Sequence, residues 1–175
     1  NVTKAVSKNL FLLGKLKYYL DADAMRMFFH ANCLSHINYA STVWSNAREV
    51  HLKKLNSLHR RAGKLIVPYP YLSTSEKLQA AKIIPLKQQF QLNTAVLVYK
   101  VKHGLAPKYI ERLLTSSDNR YGSHKFLLPK TRIDLYKTSF SFSGASVWNT
   151  LPVNLQSSGS LCSFKRNTKK HLLLN

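Results

Sequence analysis

Apolar residues recur along most of this chain at the spacing of a helix. Over residues 3–20, Val6, Leu13, Leu16 and Leu20 share one side of a helical wheel, while Lys4, Lys8 and Lys15 gather on another. Asp21 or Asp23 then opens a second, longer helix predicted to run to about Ser45, carrying Met27, Phe28, Ala31, Leu34, Ile37 and Trp44. A third is predicted from about Ala47 to Val67, ended by the two prolines of Pro68-Tyr69-Pro70. Ser73 and Glu76 form a capping box for a short helix to about Lys82. Pro85 suits the start of the next helix, Leu86 to His103, which is apolar on most of its circumference and is expected to lie at the centre of the fold. Gly104 supplies its stop, and Pro107 begins a last turn or two through Leu114.

The pattern changes after Leu114. Residues 115–125 are rich in Ser, Asn, Gly and Lys and read as a linker. Ile133 and Leu135 alternate with polar residues, as do Phe140 and Phe142, which predicts short strands or extended segments. Ser143 to Asn149 suits a brief helix, and Ser160 to Leu174 a final amphipathic one with Leu161, Phe164 and Leu172 inward. The predicted fold is mainly α: a bundle of about five or six helices, a small irregular or extended segment, and a C-terminal helix. The predicted organisation is a helical domain over 1–114, a linker with a short extended segment over 115–137, and a small C-terminal element over 138–175.

Composition sharpens this picture. With 175 residues, 45% of them hydrophobic, the chain can bury a core and is not a disordered tail. Lys and Arg number 27 against 7 Asp and Glu, a net charge of +20 that points to a polyanionic partner. The seven acids are Asp21, Asp23, Glu49, Glu76, Glu111, Asp118 and Asp134. Two-metal phosphoryl transfer needs carboxylates that converge. Only Asp21 and Asp23 are close in sequence, and their place ahead of a helix suits capping. Two cysteines make no disulfide framework, so the chain reads as intracellular. No apolar run reaches the length of a membrane span, and Leu10 to Gly14 is too short for a signal core. Asn1 in place of methionine fits a processed chain or an excerpt of a longer polypeptide.

Candidate chemistry concentrates in the third helix. Leu55, Leu58, Ala62, Leu65 and Ile66 occupy one arc of the wheel; Lys53, Arg60 and Lys64 lie opposite, flanked by Lys54 and Arg61. Only Glu49 is negative there. A one-sign ridge suits phosphates, whose neutralisation releases counterions; the plain alternative is a solvated face. Phe11 and Tyr18 adjoin the Lys4, Lys8, Lys15 stripe, where they either stack on bases or serve as core or interhelix contacts. His30, Cys33 and His36 are spaced to share a helix face as metal ligands, but no partner knuckle accompanies them, so Cys33 reads as a small buried residue. No GxGxxG, Walker, GxSxG or HExxH signature occurs, no histidine has an adjacent acid to orient it, and no cofactor or small-molecule substrate is indicated.

Several strings carry a family resemblance. HANCLSHINYASTVW (His30–Trp44), LKKLNSLHRRAGK (Leu52–Lys64), Pro85-Leu86, Tyr99-Lys100 with GLAPKY (Gly104–Tyr109), and SFS (Ser139–Ser141), WNTLP (Trp148–Pro152) and SFK (Ser163–Lys165) follow one another across nearly the whole chain. Together they resemble the region downstream of the polymerase palm in non-LTR (LINE-type, jockey-like) retrotransposon reverse transcriptases. The resemblance implies a thumb-like helical domain and tail of an RNA-directed DNA polymerase. Such a segment would grip an RNA or RNA–DNA template–primer duplex beside the palm and fingers of the same polyprotein, in the nucleus and cytoplasm. The family's catalytic Tyr-x-Asp-Asp does not occur here, so no catalytic residue is carried over and the chain alone is not expected to be an enzyme. Binding of nucleic acid is assigned to Lys4, Lys8, Lys15, Lys53, Arg60, Arg61 and Lys64. The alternatives are a helical protein-interaction or structural module, and a decayed retrotransposon fragment without activity.

Overall fold

The computed structural model describes residues 2–117 and 125–174, and it is mainly α. The helices are α1 (Val2–Leu16), α2 (Ala22–Phe29), α3 (Ser35–Asn38), α4 (Ser41–Trp44), α5 (Glu49–Ile66) and α6 (Thr74–Ala80), then α7 (Leu86–Lys102), α8 (Lys108–Glu111), α9 (Phe140–Thr150), α10 (Val153–Gln156) and α11 (Leu161–Leu174). A π-helical turn, His30–Leu34, joins α2 to α3, and a 3-10 turn, Asp134–Thr138, precedes α9. No strand occurs among the described residues; Ser116 and Phe126 form an isolated antiparallel bridge on either side of residues 118–124.

The chain divides into two compact units, one of residues 1–41 and 47–89, the other of 42–46 and 90–175. In the first, α1 buries Val6, Leu10 and Leu13, an i, i+4, i+7 stripe, and α5 is the helix it touches most. Met25, Phe29, Cys33 and Ile37 add the inner face of α2 and α3, and Leu55, His59, Ala62, Gly63 and Ile66 that of α5. A Cβ on Gly63 would lie 2.8 Å from a methyl carbon of Leu78, so glycine there lets α6 sit close against α5.

Local signals set the helix ends. Asp21 caps α2, its carboxylate accepting from the Ala24 N–H at 2.7 Å. Ser73 and Glu76 form the reciprocal capping box of α6. The predicted long second helix is broken, however. Asn38 ends α3, Tyr39 is extended and Ala40 takes the left-handed conformation at φ 49°. Side chains meet carbonyls in and just before the preceding π turn: Asn32 Nδ2 donates to Phe28 O at 3.2 Å, and Asn9 of α1 donates to Asn32 O at 2.5 Å. The first helix also stops at Leu16, short of the predicted residue 20; Tyr19 and Leu20 N–H groups both turn back to Leu16 O.

In the second unit, the part of α7 from Phe90 onward lies against residues that follow Leu114. Ala95, Val98, Tyr99 and Val101 share one core with Leu114, Ala145, Trp148, Leu151, Leu155 and Phe164. The Tyr99 and Phe164 rings stack 4.5 Å apart, and the Tyr99 hydroxyl donates to Ser158 O at 2.7 Å. Buried Gln156 donates to Trp148 O, in the last turn of α9, and to Leu151 O just after it. Asn149 pairs with both backbone groups of Phe126. The compact units therefore divide at Gln89 and Phe90 and not at the predicted boundary after Leu114. The strands predicted around Ile133 and Phe140 are a 3-10 turn and the start of α9. Phe140, Gly144, Ala145 and Trp148 recur at helical spacing, which outweighs the two-residue alternation of Phe140 and Phe142.

Two helix ends use a left-handed residue. α7 ends through Gly104 at φ 65°, with Leu105 N–H returning to Lys100 O. After α6 the same place falls on Lys82, at φ 56°, with Ile83 N–H returning to Leu78 O. A side chain with a Cβ is strained there by roughly 1–2 kcal/mol. Lys82→Gly is therefore expected to stabilise the protein by about 1 kcal/mol and Gly104→Ala to destabilise it by a similar amount. Thermal unfolding followed by circular dichroism reads both, and opposite shifts in Tm are the expected outcome.

Candidate nucleic-acid interface

The candidate surface belongs to the first unit and is carried by α1 and α5. Burial of Leu55, Ala62 and Ile66 turns the opposite face of α5 outward, and Lys53, Lys54, Arg60, Arg61 and Lys64 are all exposed. Burial of Val6, Leu10 and Leu13 exposes Lys4, Lys8 and Lys15 on α1 in the same way. The two helices pack directly: Cβ built on Gly14 would lie 3.9 Å from a methyl carbon of Leu65. The predicted core arc of α5 is partly revised, because Leu58 and Leu65 are half-buried while His59 and Gly63 are buried in full.

The electrostatics of this surface follow from where the acids are used. Asp21 caps α2, and Asp23 forms an i, i+3 pair with Arg26 at 2.7 Å. Glu76 belongs to the capping box, whose hydrogen bonds from Ser73 hold its carboxyl below the ordinary range. Asp134 pairs with Lys137, which lowers its pKa through a hydrogen bond and then through charge. Glu49 stands in the first turn of α5, where the helix dipole favours it, and Glu111 closes the single turn of α8. Asp118 lies outside the described residues. Among the described residues, none of the seven assigned cations has a carboxylate partner. Lys15 and Lys64 also sit in the last turns of α1 and α5, where their charge offsets the carbonyl ends of the helices.

The aromatics beside the ridge are at the surface. Phe11 and Tyr18 are well exposed, so neither is a core contact. Lys15 Nζ stands 5.6 Å from the Phe11 ring centroid, and Lys17 Nζ 4.6 Å from that of Tyr18. Lys17 was not among the assigned residues, and neither were Tyr69 and Tyr71, which are exposed and stacked 5.7 Å apart just after α5. Their position after the helix, among prolines, gave no periodic signal. His30, Cys33 and His36 do not share a face: Cys33 is buried, with its thiol pushed up to about 11 by desolvation, while His36 is exposed. No group of three metal-ligating side chains occurs among the described residues. No helix there is long and apolar enough to cross a membrane.

His59 ties the inner face of α5 to the segment before α7. Its Nε2 lies 2.7 Å from Ile84 O and so carries the proton, leaving Nδ1 buried without a partner. The ring meets Phe29 edge-on at 5.6 Å. Burial lowers its pKa; the bond to Ile84 O raises it by less, and the charge of His30 lowers it by less again.

Compared with known proteins, the chain matches no family model, no curated sequence and no solved structure. The site therefore stands on its own residues.

The lowered pKa of His59 has a consequence for stability. The unfolded chain, with histidine near its ordinary 6.5, takes up the proton before the folded one does. Stability is thus full above about pH 6.5 and lost as the pH falls below it. Tm measured from pH 8 to pH 5 is expected to drop in the acid limb. His59→Gln keeps a donor for Ile84 O but cannot be charged, so its acid limb is expected to be flatter.

Proposed function

We propose that this chain is a non-catalytic nucleic-acid-binding segment that holds a duplex by its phosphates along α1 and α5. One observation carries the proposal: seven exposed cations on two helices packed together, with no carboxylate partner among the described residues. A solvated face of ordinary composition mixes signs and forms i, i+4 pairs. Here Arg60 and Lys64, like Lys4 and Lys8, are like-charged neighbours one turn apart, an arrangement that a polyanion relieves. Backbone contacts of this kind position a duplex without reading its sequence, and an A-form RNA or RNA–DNA helix is recognised by shape.

The resemblance to LINE-type reverse transcriptases supplies the context for this reading. In it the chain is the thumb-like part and tail of an RNA-directed DNA polymerase, and the upstream palm and fingers of the same intracellular polyprotein are its protein partners. Exposed apolar residues on the second unit, among them Leu105, Tyr109, Leu127, Leu128 and Ile133, favour a protein contact for that unit.

Fluorescence anisotropy with a labelled RNA–DNA heteroduplex tests the proposal over a range of salt concentrations. The expected result is a linear fall of log affinity with log salt. Replacing Lys53, Arg60, Arg61 and Lys64 together by Ala is expected to weaken binding at least about tenfold and to make the slope shallower by about 3–4. A salt-independent affinity, or an unchanged slope in a variant that still melts like the parent, refutes it.

A further inference from the structure

The carboxyl-terminal ends of α1 and α5 meet around a cleft of about 560 Å³. Met25, Ile66 and Val67, all buried, belong to its apolar lining. At the surface it is bounded by Lys17 and Tyr18 from the turn after α1, and by Tyr69 from the turn after α5. Its size is that of a small-molecule site and not of a packing defect. Two features single it out. Tyr18 is 79% exposed and Tyr69 54%, so two large planar rings stand largely in solvent at its edge. Lys17 is the cation among the lining residues and reaches over the Tyr18 ring at 4.6 Å.

We propose that this cleft takes an unpaired nucleobase, from the single-stranded end of the nucleic acid held along α1 and α5. The inference rests on the proposed function above and adds a second kind of contact to it. Chemistry favours this occupant. A base offers a flat π-surface that stacks on tyrosine irrespective of its identity, and its own phosphate is an anion for Lys17, which has no carboxylate partner among the described residues. Tyr71, stacked on Tyr69 at 5.7 Å and 26° between planes, extends the aromatic platform beyond the cleft. An aliphatic ligand would match the walls but would leave Lys17 and the tyrosine faces without a role. The nearest acid in sequence is Asp21, between the lining residues Leu20 and Ala22, and its carboxylate accepts the Ala24 N–H at the cap of α2. The cationic ridge is continuous with the site along the chain: Lys15 is two residues before Lys17, and Lys64 immediately precedes Leu65, which lines the cleft. A duplex lying along the ridge carries no free base; its frayed or overhanging strand does.

The test compares three labelled probes on the full chain: a blunt heteroduplex, the same duplex with a short single-stranded tail bearing 2-aminopurine, and the tail strand alone. The expected result is tighter binding of the tailed duplex than of the blunt one, with quenching of 2-aminopurine. Tyr18→Ala combined with Tyr69→Ala should remove that advantage, about tenfold for one stacked base, and abolish the quench. The salt slope of the blunt duplex should stay as in the parent, because the variant removes no cation.

Equal affinity for blunt and tailed duplexes, without quenching, overturns the base site and leaves the duplex reading intact. Quenching by the tail strand with no binding of the blunt duplex supports the base site and removes the duplex reading. A loss of equal size on blunt and tailed probes in the tyrosine variant also overturns the base site. So does a tryptophan-bearing peptide that displaces the tail at lower concentration than the oligonucleotide, which would give the cleft to a protein partner.

Discussion

Burial of the inner face of α5 is the constraint on which the first unit depends. Leu55, Ala62 and Ile66 are withdrawn from water between α1 and α6, and large apolar side chains such as Leu55 and Ile66 contribute roughly 1.5–3 kcal/mol each when fully buried. The outer face of the same helix opposes this only weakly. Exposed like charges one turn apart destabilise a helix by about 0.2–0.5 kcal/mol per pair. Burial thus wins over repulsion by a wide margin, and α5 can carry an unneutralised ridge and stay folded. Gly63 and Gly14 are the places where neighbouring side chains, Leu78 and Leu65, come close to its backbone and to that of α1.

The same balance explains why the basic face survives in a chain with seven acids. Apart from Glu111, which closes α8, those described sit at helix starts or pair with a cation three residues away, where local geometry holds them. None reaches across to the ridge. A carboxylate at a helix N-terminus gains from the dipole at any salt concentration low enough for the effect to act, whereas an exposed pair across the surface gains little. Local use of the acids therefore leaves the excess charge on α1 and α5 facing solvent.

Much of this was legible in the chain because its causes are local. The Asp21 cap, the Ser73–Glu76 box, the Gly104 stop and the stripe of α5 each depend on residues within a few positions of one another, and each lies where the pattern placed it. The break at Tyr39 and Ala40 was not legible, since the π turn before it takes a hydrogen bond from Asn9, on another helix. Only the first turn of α9 departs from the pattern: Ser139 to Phe142 alternates over too short a window to exclude a helix, whereas Ser143 to Asn149 reads as helix and is one. The division at Gln89 falls inside α7, where helix periodicity continues without interruption and composition does not change. Across the change of composition at Leu114, Trp148 and Phe164 beyond it pack with Val98 and Tyr99 before it.

The candidate site divides along the same line. A ridge is a one-helix property, so the spacing of Lys53, Arg60 and Lys64 was enough to find it. The cleft is built from the turn after α1, the start of α2, the end of α5 and the end of α6, four segments that no periodicity relates. Its aromatic edge is visible in sequence only as tyrosines in turns, where an exposed ring has no packing reason to be there. Tyr18 follows a helix that stops at Leu16, and Tyr69 lies between two prolines that end another. Tyr18 thus sits in the turn where α1 ends, and Tyr69 where its flanking prolines forbid α5 to continue. The features that stop α1 and α5 are thereby the features that bring these tyrosines to the edge of the cleft.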